Sequence, residues 1–211
     1  MLTQIKPISK RSAGDANRPR MSYAEFLEWD TENPHVERVN GEVVTMAPVS
    51  NEHSDEQVFL LTLIKIFVDT KNLGTLHAEP FQMKTGPTLP GRAPDILFVA
   101  KRSIRRLQKN HLEGPADLVV EIISPGSKRV DRRDKYKEYQ AGGVREYWLI
   151  DPLQKKADFF LRGRDGLYRL TPTENGIFKS NVLKGFWLKL DCLWQKPMPS
   201  VIAVLKEWKL I

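Results

Sequence analysis

The segment ADLVVEIIS, residues 116–124, constrains the fold more than any other stretch of the chain. Its apolar, β-branched positions are consecutive rather than alternating, so an extended strand there needs protein on both faces. Such a strand belongs in the middle of a sheet with helices on its flanks. It also carries Glu121, and an ionised carboxylate in that setting is costly unless it is paired or bound to a cation.

The segments around it supply the rest of a mixed sheet. Ser22 and Glu25 form a capping box for a helix over about 22–31. HVERVN and EVVTMAP flank Asn40-Gly41, a strong short-range hairpin signal because both turn positions tolerate positive φ. From Ser54 to Lys71 the positions Val58, Leu61, Leu63, Ile64, Phe67 and Val68 recur at helical spacing, and Gly74 follows as a stop. TLHAEPFQMKT reads as one strand, with Pro80 marking an edge or bulge. Asp95 opens the short strand ILFVA, and 101–110 reads as a helix or turn. DRRDKYKEYQAG is helical up to Gly142-Gly143. VREYWLID, KKADFFLR and LYRLT are further strands, and Met198–Trp208 closes as a helix. The order predicts an α/β (α+β) domain with a mixed central sheet flanked by helices, an N-terminal helix and hairpin, and extra C-terminal strands. Residues 1–20 lack periodicity and read as a disordered basic tail. Residues 21–211 read as one domain with its core at about 50–152.

The chain has 211 residues, enough for a core without disulfides, and its single cysteine, Cys192, sits in an apolar segment that reads as core. No apolar run reaches the length of a membrane helix and no secretory apolar segment opens the chain, so a cytoplasmic protein without a membrane partner is expected. Walker A, GxGxxG, HExxH, GxSxG and paired CxxC patterns are absent, and no small-molecule cofactor is expected. The net charge is +7, which favours anionic partners. Two basic runs stand out: KRSIRRLQK (101–109), with Lys101, Arg102, Arg105 and Arg106, and KRVDRRDKYK (128–137), with Lys128, Arg129, Arg132 and Arg133. Each reads equally as a plain solvated face or, beside carboxylate-bearing strands, as a surface for a nucleic-acid backbone.

Asp95 and Glu121 are the acids that need explaining. On neighbouring strands they repel each other, and a divalent cation relieves that repulsion and can activate water at a phosphodiester. The alternative is a turn cap at Asp95 and an Arg partner for Glu121. Asp131, Lys135 and Tyr139 follow at i, i+4 and i+8, so they share a helix face. Lys135 can reach back to the site, or simply pair with Asp131.

APDILFVA and GPADLVVEIISPGSKRVDRRDKYKEYQAGGVREYWLIDP, with the upstream VERVNGEVVTMAPVSNEHS, resemble the Uma-type restriction endonuclease family of bacteria, over about residues 35–190. The resemblance implies a restriction endonuclease-like core of the PD-(D/E)XK nuclease superfamily. Pro94-Asp95 then matches the first motif acid and Glu121 the second. The motif lysine falls on Ile123, and the resemblance implies that Lys135 takes over its role. Glu79 matches a further acidic position and a possible metal ligand. His53 matches the family's histidine at the start of the long helix, as catalyst or helix contact, and Glu56 is the candidate for an additional acid there.

The expected function is therefore a Mg²⁺- or Mn²⁺-dependent endonuclease acting on nucleic acid, DNA first. Asp95, Glu121, Glu79 and the Ile122 carbonyl are its expected metal ligands, and Lys135 and His53 complete the catalytic set. A homodimer suits the cutting of two strands. Ile123 in place of lysine keeps a catalytically silent nucleic-acid-binding module open. A homodimeric interaction protein presenting Phe159, Phe160, Phe186 and Trp187 also stays open, although such aromatics are more often core.

Overall fold

The computed structural model describes residues 18–29, 35–125 and 127–211. Helix α1 (Tyr23–Glu28) precedes the hairpin β1 (Val36–Val39) and β2 (Glu42–Thr45), and the long helix α2 (Asn51–Thr70) follows. Next come β3 (Gly74–Ala78), β4 (Gln82–Lys84), β5 (Gly91–Arg92) and β6 (Ile96–Ala100), then a 3-10 turn over Lys101–Arg106. Strands β7 (His111–Glu113) and β8 (Leu118–Ile122) lead to a π-helical turn, Val130–Lys135, continuous with α3 (Tyr136–Gly142). Strands β9 (Glu146–Asp151), β10 (Lys156–Arg162), β11 (Tyr168–Leu170), β12 (Ile177–Lys179) and β13 (Trp187–Lys189) precede helices α4 (Asp191–Trp194) and α5 (Val201–Glu207).

The main sheet has the order β11-β10-β9-β8-β6-β3. Strand β8 lies inside it, parallel to β9 and antiparallel to β6, as its two-sided apolar sequence requires. The pleat divides the core. Ile96, Phe98, Val120, Trp148 and Ile150 pack with Leu60, Leu63, Ile64 and Phe67 of α2 on one face. Leu97, Val99, Val119, Tyr147 and Leu149 pack with Tyr139 of α3 and with Met83 and Leu112 on the other. Met83 and Leu112 belong to a second sheet, β2-β1-β5-β4-β7, and β12 and β13 form a separate ribbon. Leu63 has no exposed surface, so truncating it to alanine costs about 2–5 kcal/mol.

Several expectations are met at the level of single residues. The Ser22 side chain and Glu25 complete their capping box. Asn40 and Gly41 take φ of 52° and 87°, as the hairpin turn demands. Cys192 is buried, and so are Phe159 and Phe186, while Phe160 and Trp187 are half-buried.

The structure departs from these expectations at four points. The long helix begins at Asn51 rather than Ser54, because Ser50 caps it by accepting from the His53 N–H. Val58, expected on its apolar side, is 62% exposed. TLHAEPFQMKT is two strands in two different sheets, since Pro80 has no N–H for a ladder and the chain turns at Glu79-Pro80. The segment after β8 opens as a π turn before it becomes α-helical. Residues 1–17 of the expected tail lie outside the described residues. Pro19 accepts from the Val43 N–H at 3.0 Å and Arg20 pairs with Glu42 at 2.6 Å, so 18–20 are tied to the hairpin. No helix among the described residues is long and apolar enough to cross a membrane.

Candidate functional site

Strand register brings three acids into a row. Strand β6 pairs Ile96 with Val120 of β8 and with Ala78 of β3. Continued one residue, the same register sets Asp95 opposite Glu121 on one side and Glu79 on the other. Like charges across adjacent strands are unfavourable, so the row needs compensation. Asp95 Oδ2 accepts from the Ile122 N–H at 2.5 Å, which is how Ile122 enters the site. Asp95 Oδ1 lies 3.4 Å from His53 Nε2, presented by the first turn of α2.

His53, Glu79 and Asp95 each offer a ligand atom within 4.8 Å of the others. Both ring nitrogens of His53 are buried and complete no hydrogen bond. Burial alone would lower the His53 pKa; contact with the Asp95 carboxylate, and the charges of Glu79 and Asp131, raise it instead. Burial, and then the Asp95 charge, push Glu79 above the usual carboxylate range. Two carboxylates and an imidazole make a donor set that a divalent cation accepts, so the residues fit such an ion. Glu56, one turn further along α2, is 1% exposed, and burial pushes its carboxyl up to about 7.

Glu121 is committed differently. Its Oε2 accepts from Lys135 Nζ at 2.8 Å and its Oε1 from the Tyr139 hydroxyl at 2.6 Å. Lys135 Nζ also lies 3.1 Å from Asp131 Oδ1 and 3.9 Å from Glu37 Oε1. Burial opposes its charge, but Glu121, Asp131, Glu37 and Asp95 together hold the ammonium protonated. Burial drives Glu121 upward and Lys135 pulls against it. The expected alternatives for Asp95 and Glu121, a turn cap and an arginine partner, are therefore not what is seen. Ile123, where the motif lysine would fall, is 2% exposed in the apolar core beside Val119, and Lys135 reaches Glu121 from the following helix instead.

Two residues that the sequence did not single out complete the arrangement. Arg92, 4% exposed, donates to Glu37 at 2.8 Å and to both Glu138 oxygens at 2.7 and 2.8 Å. It ties the hairpin to the helix that bears Lys135. The signal for Arg92 was its place in a block, GRAPDILFVA, in which every residue proves buried; nothing local signalled Glu37. The resulting cleft holds about 450 Å³, with His53, Asp95, Glu121, Asp131 and Lys135 on its walls.

The basic runs separate. Lys101, Arg102, Arg105 and Arg106 follow the far end of β6, roughly 15–20 Å from Asp95 at the rise of a strand. The structure does not bring them to the cleft. Arg102 pairs with Asp117, and Arg106 donates to the Pro115 carbonyl at 3.0 Å. Lys128 and Arg129 are exposed, immediately before Val130 of the cleft wall. Arg132 binds Asp151 at 3.0 Å and Asp158 at 3.1 Å, and Arg133 binds Asp134 at 2.9 Å.

Among known proteins, an uncharacterized protein of the cyanobacterium Synechocystis sp. is 24% identical over 150 residues, covering 70% of this chain and 77% of that protein. A crystal structure from Anabaena variabilis, described as a putative nuclease belonging to DUF820, superposes with a TM-score of 0.67 over 82% of this chain and 97% of its own, at 17% identity. At that identity the likeness shows a shared fold. A sequence profile matches residues 23–191, four-fifths of the chain, and on that extent the protein belongs to the Uma2 family, described as putative restriction endonucleases.

Proposed function

We propose that the cleft hydrolyses phosphodiester bonds of nucleic acid, DNA first, with a divalent cation held by Asp95, Glu79 and His53. The observation that carries this reading is the row of acids at three neighbouring strand ends, met by a buried imidazole without a hydrogen-bond partner. In this reading Glu79 and His53 replace Glu121 and the Ile122 carbonyl as the partners of Asp95. A bound divalent ion supplies Lewis-acid polarisation of a phosphate oxygen and a water that ionises near neutral pH. An imidazole donor suits Mn²⁺ better than Mg²⁺.

Lys135 donates to Glu121, which the Tyr139 hydroxyl holds in place by donating to its other oxygen. A protonated ammonium held at the cleft wall stabilises negative charge that develops on a phosphate, or orients the water that attacks it. Asp95 is held in turn by the Ile122 N–H, so its free oxygen keeps one direction. Lys128 and Arg129 follow the backbone of the substrate, giving affinity that does not depend on sequence and falls with salt. Two-fold pairing of chains and a cytoplasmic location belong to the same proposal.

Cleavage of plasmid, linear duplex, single-stranded DNA and RNA tests it, with Mg²⁺, Mn²⁺ or EDTA, for the natural chain beside Asp95→Asn and Lys135→Met. Metal-dependent cutting of duplex DNA, absent from both variants, is expected. Cutting that persists in EDTA sinks the metal assignment. Binding without cutting on every substrate makes the protein the silent binding module instead.

A further inference from the structure

A second recess lies across strand β1 from the cleft. Alternation along β1 sends Glu37 and Val39 to the cleft and Arg38 to this recess. It holds about 240 Å³ and is completed by Lys84, the Asn40-Gly41 turn and the loop 87–90. Lys84 is 6% exposed. Its ammonium donates to the Leu89 carbonyl and lies 5.1 Å from the centre of the Tyr23 ring. Arg38 donates its Nε to the Met21 carbonyl at 2.8 Å.

Among the described residues neither cation forms an ion pair and no carboxylate lines the recess. Glu113, whose charge reaches Lys84, is an exposed side chain 3.3 Å from His111. Burial, with the Arg38 charge second, depresses the Lys84 pKa. Two like charges facing one small polar recess, one of them desolvated, lack the counter-charge that buried ions ordinarily have. A guanidinium offers a planar fork of donors and an ammonium a point charge, and together they suit a group with several anionic oxygens. The Asn40 amide adds a neutral donor.

We propose that this recess binds a phosphate group, contributed by the backbone of the nucleic acid. Its source in nucleic acid rests on the nuclease reading; the affinity for phosphate does not. The recess lies outside both basic runs of the sequence, so the path of a bound strand crosses the hairpin rather than following the 101–109 segment.

Two measurements on the full chain in EDTA test this, each on the natural protein, Lys84→Met, Arg38→Gln and, as a cleft control, Glu121→Gln. The first is the thermal midpoint in inorganic phosphate against chloride of equal ionic strength. The second is binding of a short DNA duplex across a salt series. Phosphate should raise the midpoint of the natural chain and of Glu121→Gln but not of the recess variants. Losing one phosphate contact should weaken duplex binding and flatten the log–log salt slope by about 1. Arg38 is only half-buried, so its variant decides the matter if Lys84→Met does not fold. Stabilisation by phosphate with unchanged duplex binding would make this a site for free phosphate and overturn the nucleic-acid source. No effect in either measurement overturns the proposal altogether. An effect on duplex binding in a protein that never cuts DNA leaves the recess standing and removes the nuclease reading.

Discussion

Lys135→Met tests whether the buried charge pair is what organises the cleft. Lys135 is 4% exposed and Glu121 2%, so the variant leaves a carboxylate with no cation in a dry environment. Removing one partner of a buried pair costs about 3–5 kcal/mol, a large part of a domain's usual total of about 5–15 kcal/mol. The cost should depend on pH. Burial already raises Glu121 in the folded protein, and without the opposing pull of Lys135 it rises further. Between the ordinary carboxylate value of 4.5 and the raised one, the folded chain holds more protons than the unfolded chain, so stability falls as pH rises through that window. The Lys135 pKa is itself raised, so its own titration lies above the range tested. Urea unfolding followed by tryptophan fluorescence, without metal, at pH 5 and pH 8 should therefore show the larger loss at pH 8. Adding Glu121→Gln should recover part of it, Asp131 keeping the remainder because it too loses Lys135 at 3.1 Å. A loss below about 1 kcal/mol at pH 8, the size of an exposed pair, would refute the reasoning, as would equal losses at both pH values.

Glu56→Gln should flatten the stability–pH profile. The natural carboxyl titrates at about 7 rather than 4.5, so folding loses up to ~3 kcal/mol as pH rises through that interval, and the glutamine variant should lose none of it. Tyr139→Phe keeps the ring packed edge-on against Tyr147 but removes the 2.6 Å donor to Glu121. A cost of about 1.5–3 kcal/mol is expected, seen as a lower urea midpoint with an unchanged slope. Mn²⁺ should raise the thermal midpoint in step with the logarithm of its concentration, a stabilisation near 2.7 kcal/mol at about one hundred times Kd, and the rise should vanish in Asp95→Asn.

Local signals were legible where one residue decides the backbone. Asn40-Gly41, the Ser22–Glu25 box and the left-handed Gly143 at the end of α3 are cases of that kind. Glu121 was legible because a charge stands out in an apolar strand. What escaped was long-range. Strands of two or three residues, such as Gly91–Arg92 and Gln82–Lys84, carry too little pattern to reveal a second sheet. Glu37 and Arg92 are 55 positions apart, and their ion pair exists only once that sheet has formed. The position of Lys101 was within reach of simple counting. It follows Asp95 by the length of a strand, so it belongs at the opposite end of the sheet.

The walls around the cleft also set an order of events. The cleft lining sets Glu37, Asp95, Glu121, Asp131 and Asp134 against three permanent cations, Arg18, Arg92 and Lys135. With His53 neutral and every one of these carboxylates ionised, that is a surplus of two negative charges where the proposed substrate would enter. Such a mouth turns phosphates away until counter-charge has been loaded. In the proposed reading, encounter with nucleic acid should therefore be faster for the ion-loaded protein and its rate should rise with divalent-ion concentration. On the same reading, chelated protein would hold the polymer by outlying contacts alone, so ion availability would govern when the cleft meets the strand as well as whether it cuts.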